Sequence, residues 1–329
     1  MSSATYTPLV LFVYILIFVT GVPSNLLACH TFLVKVRQKP SPIVLFLLNL
    51  TISDLLFLFI LPFRMVEAAS DMTWPMPHFL CPIAVWVYYC SIYISTLFLT
   101  AVSVERYLGV AYPMKFKVNR KTVHAIWTCG LIWGFSALNV SVTFIVITVL
   151  PSNESQQGQC YQNFSAEQMK MLMPLRLEVS LLLFCIPFMI TIFCYFNFIR
   201  LLLSMTKTSR KKKYRAMCLA VATLFNFTLC FAPYNISHIV GFVQNKIPGW
   251  RVYALLLTTL NASIDPIIFY YSSTAVQRAF LKFLEGIKKK LHIRDADETP
   301  MELSQLSDTR TSCNNHGTSV SHLKNIYDV

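Results

Sequence analysis

Charge is what this chain has least of. Only 13% of its 329 residues are Asp, Glu, Lys or Arg, against 55% hydrophobic residues, whereas ordinary globular proteins carry about 25% charged residues. That imbalance excludes the soluble two-domain protein that the length alone would suggest. The ten cysteines form no CxxC pair and no metal-ligand spacing, so nothing points to a zinc site or a metal centre. Alternation of polar and apolar residues is missing too, which removes a membrane β-barrel. No basic segment and no small-residue cleavage site precede the run 9–18, so a cleavable signal peptide is not expected and the first apolar segment is retained.

What is there is a set of seven long apolar segments, at about 8–34, 42–66, 79–112, 123–150, 171–203, 214–243 and 250–271. About 20 apolar residues cross a bilayer core as a helix, and only helices satisfy the backbone there without a closed barrel. The spacing therefore predicts an all-α bundle of seven membrane helices, with Pro187, Pro233 and Pro266 as interior kinks. The third segment is the most telling. It runs from 83 to 104 without a charge, carries Cys81 at one end and closes on Glu105-Arg106-Tyr107 at the other. An acid and an arginine at such a boundary are costly unless paired or functional.

The net charge of +13 is confined to alternate loops. Lys35, Arg37 and Lys39 follow the first segment, and Lys115, Lys117, Arg120 and Lys121 the third. Lys207, Arg210 to Lys213 and Arg215 follow the fifth, and Arg278, Lys282 and Lys288 to Lys290 the seventh. This asymmetry places the N-terminus outside and the C-terminus in the cytoplasm, and it assigns the basic charge to topology rather than to nucleic acid. Sequons at Asn153 and Asn163 fall in a loop on the outer side, where glycosylation is expected. Those at Asn49 and Asn235 lie within spans and read as packing residues. The chain divides into an extracellular N-terminus (1–8), the seven-span unit (9–273), an amphipathic interfacial helix (274–292) that lies on membrane lipids, and a Ser/Thr-rich tail (293–329) expected to be disordered and phosphorylated.

Polar residues inside the spans carry a resemblance. Asn25, Asp54, Glu105-Arg106-Tyr107, Trp133, Pro187, Cys230-Phe231-Ala232-Pro233 and Asp265-Pro266-Ile267-Ile268-Phe269 together resemble the rhodopsin-like G-protein-coupled receptors over residues 8 to 290. The resemblance implies a disulfide between Cys81 and Cys160 and a switch built from Glu105, Arg106, Tyr107, Pro233, Asp265 and Pro266, with Glu105 restraining Arg106. It also implies a polar network of Asp54, Asn25, Ser95 and Asp265 that holds an allosteric sodium ion; a purely structural network is the alternative. Phe231 stands where the family has tryptophan, and Asp-Pro-x-x-Phe replaces Asn-Pro-x-x-Tyr.

The ligand is narrowed by further absences. The outer half of span three has no acid and span seven has no lysine, which disfavours a cationic amine and a retinal Schiff base. Instead Arg176, His238 and Arg251 stand near the outer ends of spans five, six and seven. Two guanidinium forks and an imidazole suit a carboxylate, with Tyr88, Tyr89, Tyr93, Tyr234 and Phe231 as walls. Alternatively the arginines reach to water and the histidine packs. The strings Pro174-Leu175-Arg176-Leu177-Glu178, Pro233-Tyr234-Asn235-Ile236-Ser237-His238 and Leu260 to Pro266 resemble the free fatty acid receptors, most closely the two subtypes that sense short-chain carboxylates. Residues 61–69 lean to one of these subtypes and Tyr107 to Val110 to the other, and the balance favours the latter. The resemblance implies that Arg176, His238 and Arg251 anchor a carboxylate between Tyr89, Tyr93 and Tyr234. Asn139 replaces a family histidine and Gln162 a loop glutamate, so both belong to the expected ligand site and are expected to alter affinity or basal activity.

Taken together, these residues lead to a plasma-membrane receptor, not an enzyme, for small carboxylates such as acetate, propionate and butyrate. It is expected to signal through a heterotrimeric G-protein of the Gi/o class, with Gq second, and to engage arrestin and receptor kinases through its tail. A receptor for another small anion (a longer fatty acid, a hydroxy acid or a nucleotide) is the alternative. A small-anion transporter would need charges along a midplane path and an inverted repeat, and neither is visible.

Overall fold

The computed structural model describes residues 7–113, 122–149, 160, 164–205 and 209–272, with 276–278, 280–282 and 285–286 beyond them. Seven helices are long and apolar enough to cross a membrane. They are α1 (Thr7–Gln38), α2 (Pro42–Ala69), α3 (Leu80–Ala111), α4 (Thr122–Val149), α5 (Ala166–Ser204), α6 (Arg210–Gln244) and α7 (Arg251–Ser272). No strand occurs among the described residues. The chain is a multi-pass membrane protein. Its helices alternate in direction, so the C-terminal ends of α2, α4 and α6 meet the N-terminal ends of α3, α5 and α7 at the Cys81 end of the bundle.

Capping groups as well as hydropathy set where these helices begin and end. Ser41 caps α2 with Pro42 in the first turn, its hydroxyl accepting from Val44 N; a fixed φ and a missing N–H suit that position. α5 starts at Ala166, five residues before the apolar segment. There a capping box joins Ser165 and Gln168: Gln168 N donates to Ser165 Oγ at 3.2 Å, and Ser165 N to Gln168 Oε1 at 2.9 Å. α6 ends on Asn245 at φ 50°, with Lys246 N closing on Gly241 O at 3.2 Å, a left-handed cap that asparagine tolerates.

Proline lies inside more of the helices than expected, since Pro23, Pro62 and Pro174 join the three kinks named above. Before Pro187 the residues Leu181–Cys185 wind as a π-helix. Pro187 has no N–H to give to Leu183 O and its ring crowds that carbonyl, and the wider turn relieves both problems.

α3 is the most enclosed helix, touching α2, α4, α5 and α6, whereas α1 rests mainly on α2 and α7. Lipid tails are as apolar as leucine, so close packing and polar contacts must join these helices. Gly21 shows the first: a Cβ there would meet Leu58 Cδ2 at 3.1 Å and Ala262 O at 3.5 Å. Asn49 shows the second, accepting from Trp133 Nε1 at 3.0 Å across α2 and α4, so the in-span sequon at Asn49 is a packing residue. Large apolar side chains such as Phe12, Phe59 and Trp127 face outward, 63–70% exposed, as a lipid-facing surface requires.

The short stretches after α7 are helical, with Val276 buried and Phe280 against Tyr270 at 5.5 Å between ring centroids. The rest of the expected 274–292 helix, the tail, Lys115 to Lys121 and Lys207 lie outside the described residues.

Candidate functional site

α3 presents Val85, Tyr89 and Tyr93 on one face, at the four-residue spacing that aligns helical side chains. α5 presents Leu172, Arg176 and Val179 at four- and three-residue spacing, and α6 presents Tyr234 and His238. α7 contributes Arg251 from its first residue. A cation at a helix N-terminus opposes the helix dipole, so the helix itself has no use for Arg251 there. These faces line a cavity of about 70 Å³, together with Val140, Thr143 and Phe144 of α4 and Phe164. Sequence spacing had grouped Arg176, His238, Arg251, Tyr89, Tyr93 and Tyr234, and all six line it.

No acidic side chain is among the described residues lining this cavity. Arg251 Nη2 donates to Tyr234 Oη at 3.0 Å, and its guanidinium carbon lies 5.2 Å from the centre of that ring. Arg176 lies 5.2 Å over the Phe164 ring, and its Nη1 is buried without a hydrogen-bond partner. His238, 3% exposed, packs edge-on to Tyr234 at 4.6 Å with neither ring nitrogen bonded. Buried polar groups are normally paired, and each missing partner costs about 1–3 kcal/mol. Arg176 Nη1 and the imidazole N–H of His238, both open toward one void, describe a place for an acceptor that the described residues do not supply.

Other expected members sit elsewhere. Asn139 does not line the cavity; its amide donates to Phe135 O at 2.8 Å, back along its own helix. Tyr88, expected as a wall, turns to α2, meeting Phe57 at 5.3 Å and Arg64 at 5.6 Å. Phe231 lies deeper, beside Asp54 and Ser95. Tyr88 is turned away by the rotation of α3 about its axis, whereas Phe231 lies about one turn further into the bundle along α6 than Tyr234. Gln162, Asn153 and Asn163 lie outside the described residues. Cys81 and Cys160 form a disulfide that ties the start of α3 to the preceding segment of α5 across 79 residues.

Deeper in the bundle is a second polar cluster. Asp265 is fully buried. Its Oδ1 accepts from Asn226 at 3.0 Å and its Oδ2 from Asn261 at 2.9 Å, while Asn226 also donates to Asn261 Oδ1 at 2.9 Å. Cys230 Sγ donates to Asn226 Oδ1 at 3.1 Å. Asn226 was missed in the sequence because a single amide in an apolar helix carries no spacing signal. Asn25 donates to Gly21 O and Ala262 O at 3.0 and 2.7 Å, joining α1 to α7. Asp54 accepts from Ser95 at 3.5 Å and its Oδ2 has no partner. A space of about 10 Å³ beside it is lined by Ser91, Ser95, Thr258 and Asn261 as well as Asp54, but not by Asn25 or Asp265.

At the far end Arg106 bridges three helices. Its Nη1 donates to Tyr195 Oη of α5 at 3.3 Å and to Thr223 Oγ1 of α6 at 3.4 Å. Sequence reading had given Arg106 only its neighbour Glu105 as a restraint, and these two uncharged partners add to that picture. Tyr107 packs edge-on to Phe193 of α5 at 6.0 Å. Pro233 stands in α6 and Pro266 in α7, each between the cavity and this end.

Comparison with known proteins agrees with this arrangement. The family of seven-transmembrane receptors of the rhodopsin type matches residues 24–269. Free fatty acid receptor 2 of Mus musculus is 44% identical over 289 residues, 86% of this chain and 87% of the relative. Free fatty acid receptor 3 of Mus musculus is 43% identical over 274 residues, 83% and 85% of the two chains. Free fatty acid receptor 2 of Homo sapiens is 42% identical over 286 residues, 86% and 87%. The two subtypes match almost equally, as the divided lean of residues 61–69 and 107–110 implied.

Proposed function

The chain belongs to the rhodopsin-like G-protein-coupled receptors and within them to the free fatty acid receptors, a signalling receptor and not an enzyme, and from that premise we propose that its ligand is a short-chain carboxylate. The observation that carries this reading is the meeting of Arg176, His238 and Arg251 around a cavity of about 70 Å³. Size limits the ligand: an apolar cavity of about 150 Å³ holds benzene, so half that volume suits a chain of about two to four carbons. Charge selects it, since a carboxylate supplies the acceptors that Arg176 Nη1 and the His238 ring lack and offsets the repulsion between the two arginines.

The protein sits in the plasma membrane with its N-terminus and the Cys81 end outside and its C-terminus in the cytoplasm. An anion between Arg176 and Arg251 favours the arrangement that brings α5, α6 and α7 closer, and a ligand shifts an equilibrium only through such a difference in affinity. α6 turns about Pro233, its inner end leaves α3, and the bonds from Arg106 to Tyr195 and Thr223 give way to a G-protein of the Gi/o class, with Gq second. Arrestin and receptor kinases would engage the Ser/Thr-rich tail. A sodium ion fits the space beside Asp54, where the unpartnered Oδ2 and the oxygens of Ser91, Ser95, Thr258 and Asn261 would hold it. There it would favour the resting arrangement.

The experiment is a concentration series of C2 to C6 carboxylates on cells that express the chain, read as G-protein activation. Propionate is expected to activate the parent. Arg176→Ala and Arg251→Ala are expected to weaken it by at least about 30-fold, the lower end of what losing one partner of a buried charged pair costs. A parent-like response in either variant sinks the proposal.

A further inference from the structure

The small cavity is open on the side of α1 and α2. Val85, Tyr89, Phe164, Arg176 and Arg251 line it and also line a second space of about 410 Å³, which reaches Tyr14 and Arg64. A two- to four-carbon acid has no use for that volume. Arg64 is far from idle surface: its side chain is 12% exposed and its Nη1 meets Glu67 Oε2 at 2.5 Å, while Glu67 is 1% exposed. Arg64 Nε has no hydrogen-bond partner, so the guanidinium keeps a donor for a second acceptor.

Charge counting points the same way. Among the described residues lining the two connected spaces the charged ones are Arg64, Arg176 and Arg251. Glu67, beside Arg64, offsets one of the three, which leaves +2. A monocarboxylate on Arg176 and Arg251 brings the balance to +1, and a second acid group brings it to zero. Because the spaces share lining residues, the two acid groups can belong to one molecule, whose second contact then forms at high effective concentration.

We propose that the second space is an anion subsite centred on Arg64, so that this receptor also takes small aliphatic dicarboxylates. One acid group sits on Arg176 and Arg251 and the other on Arg64, displacing Glu67 from part of the guanidinium. This rests on the carboxylate site proposed above and extends it to a second ligand class.

The test uses the full-length receptor in cells and the sodium salts of the C3 to C8 dicarboxylates, malonate to suberate, with propionate as reference. Each salt is measured alone and against propionate, with responses normalised to receptor at the cell surface. At least one dicarboxylate is expected to activate the receptor or displace propionate. Arg64→Gln should weaken that dicarboxylate by at least about tenfold while propionate changes by less than about threefold, because only the dicarboxylate loses a charge-assisted contact. Glu67→Gln should strengthen the dicarboxylate by about threefold or more, since it removes the competing carboxylate. Dicarboxylates that neither activate nor compete overturn the subsite, and so does an equal shift of both ligand classes in Arg64→Gln. An unchanged dicarboxylate potency in Glu67→Gln overturns it as well, through a variant of opposite sign that a folding defect would not imitate. A parent receptor silent to propionate is a separate result: it overturns the proposed function, and this subsite with it.

Discussion

Asp265 has an amide on each carboxylate oxygen, from Asn226 and from Asn261, whereas Arg176 and His238 keep buried nitrogens with no hydrogen-bond partner. Both regions draw on α6 and α7. The difference is that at Asp265 both carboxylate oxygens are met by amides, while around the cavity the described residues supply donors without an acceptor for them. A closed polar network rigidifies a core and specifies its packing; an open one is costly until something fills it. The two regions also share a helix face. Asn226, Cys230, Tyr234 and His238 follow one another at four-residue spacing along α6, with Pro233 beside the upper pair. A change in the position of Tyr234 and His238 therefore reaches Asn226 through one helix, without a further relay.

Three substitutions would break or sharpen this contrast. The largest effect is expected at the open end. Tyr234→Phe removes the hydroxyl that accepts from Arg251 at 3.0 Å while keeping the ring under the guanidinium. Hydrogen bonds to charged groups contribute about 1.5–3 kcal/mol, so propionate potency should fall by about tenfold, measured as EC50 for G-protein activation. An unchanged EC50 would mean that Tyr234 is only a wall. At the closed end Asn226→Leu removes the two bonds that Asn226 of α6 makes to Asn261 and Asp265 of α7 and leaves Asp265 Oδ1 open. The resting arrangement should lose about 1 kcal/mol relative to the active one, which raises ligand-free signalling by about fivefold. Basal activity equal to the parent at equal surface expression would show that the network is not a restraint on α6. The smallest effect belongs to Asn139→His. Asn139 bonds within its own helix and stays outside the cavity, so restoring the family's residue should move the propionate EC50 by less than about threefold, the range of substitutions away from special features. A larger shift would place position 139 at the ligand after all.

Much of the molecule was legible beforehand, and unevenly so. Apolar runs located all seven helices, because the thickness of a bilayer dictates a length that few other structures need. Their ends were misplaced wherever a cap such as Ser165 with Gln168 extended the helix past the apolar run. Arg176, His238 and Arg251 were legible because charges near span ends are rare enough to notice. Arg64 and Glu67 were equally rare, but they entered only within the string 61–69, and nothing in their spacing said that a space of about 410 Å³ lies beside Arg64.

What the sequence determined by itself is therefore the bundle and the residues available to it, since hydropathy, length and buried charge act locally along the chain. What only the tertiary structure decided is which of those residues meet. Tyr88 and Tyr89 are neighbours in sequence, yet successive side chains on a helix point about 100° apart. One packs against Phe57 and Arg64, and the other lines the cavity with Arg176 and Arg251. The rotation that separates their fates comes from how α3 seats against α2, α4, α5 and α6, a balance of long-range contacts that no local pattern encodes.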